Sequence, residues 1–225
     1  MIRRDYILRM IEEFMQALSR IRALQKGQRS QEAAVALDEE FNRLVGGGSQ
    51  ALAGLTETEL LARLIRGEPT QVVHAKTLML TTLLKEAGDL AAAQDRAAES
   101  RTCYLKGLHL LLHTPAGGDP YESPDFVPKI EMFVAALQGG PLPLETNAML
   151  MQHYERSGQF AKAEDALFAM LEDEPRHPRI LEFGIAFYQR LEGRSDASLD
   201  AGDLPRAEVE AGLTELRERK SALPV

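Results

Sequence analysis

Residues 150–175 read LMQHYERSGQFAKAEDALFAMLEDEP, and the fold of the chain turns on that stretch. Leu150 and Tyr154 stand before Gly158, and Phe160, Ala163, Leu167 and Met170 follow it at three- and four-residue intervals. This spacing puts one apolar stripe on each of two helices. Gly158 stands where the first must stop, because glycine takes positive φ without a Cβ penalty. Phe160 plugs the corner, the small Ala163 lets the two axes approach, and Pro175 ends the second helix. The stretch reads as a helical hairpin.

Two further segments align with its centre. Gly88-Asp89-Leu90-Ala91-Ala92-Ala93 and Gly202-Asp203-Leu204-Pro205-Arg206-Ala207 share with Gly158-Gln159-Phe160-Ala161-Lys162-Ala163 the order glycine, polar, large apolar, two variable residues, alanine. Each is expected to close one helix and open another, and recurrence of such a unit points to a helical repeat. The set Leu150, Tyr154, Gly158, Phe160, Ala163, Leu167, Met170 and Pro175 resembles the packing positions of a tetratricopeptide repeat. A following unit keeps Ile180, Phe183, Gly184 and Phe187, with Gly184 at the small crossing position, and resumes at Gly202 after an insertion of about eleven residues. In a preceding unit Leu80, Leu84, Gly88, Leu90, Ala93 and Ala97 fit the pattern, whereas Thr77 and Thr81 do not.

The array is not regular. Gly88 and Gly158 lie 70 positions apart, about twice the roughly 34-residue period of this repeat. The surplus is assigned to a long helix over Leu90–His113, a loop holding Pro115, Gly117, Gly118, Asp119, Pro120 and Pro124, and a helix over Asp125–Leu137. Gly139-Gly140-Pro141-Leu142-Pro143 is a stiff break before the next unit. The resemblance implies an all-α fold, a tetratricopeptide-like α-α superhelix of embellished helical hairpins with an N-terminal helical extension. The expected division is 1–67 for that extension, of three helices, and 70–225 for the repeat-like domain.

In the extension, Ile7, Ile11, Phe14, Leu18 and Ile21 form a heptad-like stripe over a first helix from Asp5 to Gln25. Asp5 and Arg9 support it as an i,i+4 pair, and Gly27 ends it. A second helix over Ser30–Val45 shows Ala34, Leu37, Phe41 and Leu44 on one side before the stop at Gly46-Gly47-Gly48. Thr56-Glu57-Thr58-Glu59 has the form of a capping box, with Leu55 placed to staple onto Leu60, and starts a third helix that ends near Gly67. Arg4-Asp5-Tyr6-Ile7-Leu8-Arg9-Met10-Ile11 resembles the opening of a family of uncharacterised bacterial tetratricopeptide-like proteins, a resemblance that implies no activity.

Composition excludes several function classes. The 225 residues are 44% hydrophobic and 27% charged, an ordinary globular balance dominated by helix formers. Cys103 is the single cysteine, so no intramolecular disulfide forms. Asp5, Arg9, Glu12 and Glu13 interrupt any signal-peptide core, and no apolar run reaches the roughly 18 residues of a membrane span. A cytoplasmic location is expected. The net charge of −8 argues against nucleic acid as ligand. The charge is uneven: residues 1–29 carry about +4, leaving about −12 for the rest.

Candidate chemistry is sparse. His109 and His113 sit at metal-ligand spacing on a helix, but Leu110, Leu111 and Leu112 fill the interval and the Glu of a metalloprotease motif is missing. They read instead as histidines meeting the negative end of a helix dipole. His74, His153 and His177 share no ligand spacing. Cys103 has no base beside it in sequence and reads as a structural thiol. The glycine pairs carry no following Lys-Ser/Thr and are helix stops rather than phosphate loops. Glu172-Asp173-Glu174 and Asp38-Glu39-Glu40 lack a calcium-loop pattern and read as solvated faces. Met149, Met151 and Met170 have adaptable side chains suited to a binding surface, and Met170 stands at a packing position. No catalytic residue, cofactor or metal site is expected.

Tetratricopeptide arrays present a concave surface, lined by the first helix of each unit, to a peptide or protein. The resemblance maps that lining onto Glu145, Ala148, Gln152, Glu155 and Arg156. Peptide binders of that class hold a C-terminal carboxylate with Lys and Asn at such positions. This chain has neither, which argues against a clamp of that kind. The expected function is a protein-interaction or scaffold module with a protein or peptide partner and no catalytic activity. The alternative is a peripheral membrane or polyanion-associated protein acting through the basic N-terminal helix. The apolar stripe of that helix, widened by Ile2, Tyr6, Met10, Met15 and Leu24, demands burial worth roughly 1.5–3 kcal/mol per large side chain, and a homodimer through it is expected.

Overall fold

The structure, a computed structural model, describes residues 2–49, 52, 54–114 and 124–223. All regular structure among them is helical, and the chain divides into two compact units, Met1–Pro141 and Leu142–Val225. The first holds α1 (Ile2–Lys26), α2 (Ser30–Val45), α3 (Glu57–Ile65), α4 (Thr70–Ala92), α5 (Ala97–His113) and α6 (Ile130–Ala136). The second holds α7 (Leu144–Arg156), α8 (Phe160–Asp173), α9 (Pro178–Glu192), α10 (Asp196–Ala201) and α11 (Arg206–Ser221). The expected loop through Pro115–Pro120 lies outside the described residues.

In the first unit α4 is central, packed by α1, α2, α3 and α5. Its residues 78–84 are all buried, and a helix apolar on every side belongs in a core. Two of its threonines turn back on the helix: Thr77 Oγ1 donates to Val73 O at 2.8 Å and Thr82 Oγ1 to Leu78 O at 2.9 Å. Phe14, Leu18 and Ile21 of α1, Leu37 and Phe41 of α2, and Leu60 and Leu64 of α3 close around it. Phe126 joins them edge-on to Phe14, ring centroids 5.1 Å apart. The division therefore falls at Pro141–Leu142 rather than at 67–70. The helices of residues 1–67 pack on α4 as well as on one another, so their core is shared with it. The capping box is present: Glu59 N–H donates to Thr56 Oγ1 at 3.3 Å, and Thr56 N–H to Glu59 Oε2 at 2.8 Å.

The first of the three aligned segments is not a turn. Gly88 lies inside α4, and the chain reverses at residues 93–96, so Leu90–His113 is two helices rather than one. Gly88 is there for close approach: a Cβ at this position would overlap the ring of Tyr104 on α5. The Tyr104 hydroxyl donates to Asp89 Oδ1 at 2.7 Å, locking the same pair.

Four helix ends share one geometry. Gln28, Asp95, Gly158 and Asp203 all have positive φ, and the next amide in each case bonds back five residues: Arg29 to Leu24 O, Arg96 to Ala91 O, Gln159 to Tyr154 O and Leu204 to Leu199 O, at 2.9–3.1 Å. These bonds satisfy carbonyls that the ending helix leaves open. Only at Gly158 is the left-handed residue a glycine. Around 202 that role belongs to Asp203, and Gly202 (φ −93°) instead meets the other hairpin: Ala161 N–H donates to its carbonyl at 3.0 Å, and a Cβ there would stand 2.6 Å from Gly158 O. The two corners of the second unit thus abut.

In that unit α7 packs on α8 and α9 on α11, two helical hairpins, with α10 filling the expected insertion. Tyr154, Phe160, Ala163 and Leu167 are buried together, and Gly184 of α9 meets Leu167 and Leu216. Ala163 is 0% exposed. Ala163→Trp is expected to overpack this seam and cost about 1–3 kcal/mol or more, read as a fall in the melting temperature by circular dichroism. A variant melting within a degree or so of wild type would mean there is no such seam.

Candidate functional site

Helix α7 has two unlike faces. Thr146, Asn147, Leu150, Met151 and Tyr154 point into the second unit and are buried. Glu145, Gln152 and Arg156 are exposed, and Ala148 and Glu155 are half-buried. The five residues expected to line a partner surface therefore share the outer side of one helix. At its C-terminal end Glu155 meets α9. Arg190 grips Glu155 with both arms of its guanidinium, Nε to Oε1 at 2.6 Å and Nη2 to Oε2 at 2.7 Å. This bond holds the Arg190 pKa above its ordinary value.

Around the pair lies an open groove of about 260 Å³, lined by Gln152, Glu155, Arg156, Arg190 and Arg194. Arg156 Nε donates to Gln152 O at 3.2 Å, a carbonyl in the last turns of its own helix. Arg194 is anchored through its backbone: its N–H donates to Leu191 O at 2.8 Å and its carbonyl accepts from Arg206 Nη2 at 2.6 Å. Neither Arg156 nor Arg194 has a carboxylate partner among the described residues. Three guanidiniums against one carboxylate leave the groove about +2, on a chain of net charge −8. Glu145 and Ala148 lie outside it. Arg190 and Arg194 are absent from the sequence reading. The signal for Arg190 is the same helix face one hairpin later, 35 positions after Glu155.

The other candidates settle into structural roles. His109 Nδ1 lies 3.0 Å from Glu57 Oε1, joining α5 to α3, while His113 Nδ1 turns back to His109 O at 2.9 Å. Among the described residues no group of three or more His, Cys, Asp or Glu is arranged to hold a metal. Burial pushes the Cys103 thiol up to about 11, away from thiolate chemistry. Asp38 accepts the Ser49 N–H at 2.8 Å, and Glu39 and Glu40 pair with Arg20 and Arg43. Glu172, Asp173 and Glu174 are exposed. Met151 and Met170 are core residues. Lys106, not singled out by sequence, is buried with Nζ donating to Leu52 O at 2.9 Å, and burial draws its pKa down.

The N-terminal helix finds its burial within its own unit. Met10, Phe14, Leu18, Ile21 and Leu24 are in the core, and Ile7 and Ile11 pack against it. Arg20 and Arg22 pair with Glu39 and Glu86 of the same unit. Tyr6, Leu8 and Met15 stay exposed. Among the described residues no helix is long and apolar enough to cross a membrane.

By class, then, this is an all-α protein of packed helical hairpins bearing an arginine-lined groove. It belongs to the DUF6483 family, a family of unknown function whose model matches residues 1–221. That agrees with the resemblance of residues 4–11 to an uncharacterised family, and lends no support to the tetratricopeptide kinship. No curated protein and no solved structure matches the chain.

Proposed function

We propose that this protein is an interaction module, with hairpins used as in tetratricopeptide-like arrays, and that a protein or peptide partner docks along the outer side of α7. The observation that carries the reading is the groove where α7 meets α9, with two guanidiniums, Arg156 and Arg194, that no carboxylate among the described residues engages. Its lining also bears on the kind of ligand. Small-molecule sites are enclosed and bury most of their ligand, whereas this groove is open to solvent. An open, arginine-rich surface suits a partner chain, since arginine is enriched at protein interfaces. The basic first helix supports the membrane alternative less, because Arg20 and Arg22 are already paired within the unit.

A photo-crosslinking amino acid placed at Gln152, and separately at exposed Glu210 of α11, tests the proposal in the cells the chain comes from. A discrete adduct from position 152 that is absent from position 210 is expected. Identical adducts from both positions, or none from 152, would rule the α7 surface out.

A further inference from the structure

Resting on the reading of this surface as a docking site, we infer that its groove recognises side-chain carboxylates in an acidic segment of the partner, rather than a chain terminus. The groove already shows how it holds one carboxylate: Arg190 closes on Glu155 with two parallel bonds of 2.6 and 2.7 Å. Planar guanidinium forks match carboxylates in this way. Arg156 and Arg194 offer two more forks in the same groove, with no carboxylate of the described residues on them. Two adjacent acidic side chains, one to each, would neutralise the local charge of about +2.

Other anionic partners fit less well. A nucleic acid presents a long array of phosphates to a chain of net charge −8 and would meet only these three cations in the groove. A lipid surface calls for apolar side chains beside the cations, and none lines this concavity. The residues that hold a terminal carboxylate in tetratricopeptide clamps, Lys and Asn, are missing from Glu145, Ala148, Gln152, Glu155 and Arg156. The arginine set here comes from two different helix ends.

Fluorescence anisotropy of the full chain with labelled, C-terminally amidated peptides tests this. One peptide carries a run of glutamates and its control carries glutamines at the same positions. The glutamate peptide is expected to bind and the control not to. Arg156→Ala/Arg194→Ala should weaken binding about tenfold or more, and Arg156→Lys/Arg194→Lys by less, since it keeps charge but loses the fork. Both arginines are exposed, so the variants should keep the wild-type melting curve. Equal binding of the two peptides, no binding of either, an unchanged affinity in the alanine variant, or preference for single-stranded DNA or anionic vesicles overturns the inference. A crosslinked partner at Gln152 that survives the alanine variant would do the same, while leaving the interaction-module reading in place.

Discussion

Gly212→Ala is expected to destabilise the protein, although helix propensity alone predicts the opposite. Gly212 lies within α11, where alanine is favoured over glycine by about 1 kcal/mol. The Tyr188 ring of α9 occupies the space a Cβ would need. That ring is 0% exposed and cannot swing away cheaply, because its hydroxyl donates to Glu164 Oε1 of α8 at 2.5 Å. Burial, then the hydrogen bond to Glu164, pushes the phenol pKa far above its ordinary value, so the hydroxyl stays a donor. Burial also raises the Glu164 carboxyl, with Glu208, Asp165 and Glu215 adding to it. Shifting the ring would strain the α9–α11 hairpin and strip this carboxyl of its donor. Overpacking costs about 1–3 kcal/mol, and a lost bond to a charged group about 1.5–3 more. Together they exceed the propensity gain. Urea unfolding should show a net loss of about 2 kcal/mol or more, and Tyr188→Leu/Gly212→Ala should be less destabilised than the sum of its single variants. A Gly212→Ala variant as stable as wild type would show that Tyr188 has room to move.

The same glycine explains what sequence could and could not show. Helix bounds that rest on local chemistry are legible: α2 spans Ser30–Val45 as its periodicity indicates, and Thr56 and Glu59 cap α3. The hairpin at Gly158 is legible because its glycine serves the backbone, with φ +74°. Gly88 resembles it in sequence but serves a neighbour, Tyr104, sixteen residues on. A glycine that admits a side chain from another helix carries no local mark. The turn at Asp95 is hidden for the converse reason, since a non-glycine residue takes the left-handed conformation there. The turns at Gln28 and Asp203 are found through the adjacent Gly27 and Gly202, although neither glycine is the left-handed residue. The groove is half legible. Gln152, Glu155 and Arg156 follow from the period of α7, but Arg190 and Arg194 become part of it only when α9 packs beside that helix.

The basic N-terminal helix supplies the second large effect. Glu86 lies in the middle of α4 at 3% exposure, where an unpaired carboxylate is costly. It is held from α1 by Arg22, Nε to Oε1 at 2.7 Å, while Gln25 Nε2 donates to the Glu86 carbonyl at 3.0 Å. Arg22→Ala should leave the charge stranded and cost about 3 kcal/mol, the lower end for a broken buried pair, because half of the Arg22 side chain is exposed and water can reach one side of the gap. Arg29→Ala makes the comparison: its partner Glu32 is on the surface, and losing that pair should cost under about 1 kcal/mol. If the defect in Arg22→Ala is a stranded charge rather than lost packing, Arg22→Met/Glu86→Leu should recover most of the stability, since apolar replacement of both partners of a buried pair is often neutral. Denaturant midpoints of the four proteins, read at constant slope, separate the cases. Equal, small losses in Arg22→Ala and Arg29→Ala would mean that Glu86 needs no partner. The positive charge of α1 would then be free for another surface, and the membrane alternative would regain its footing.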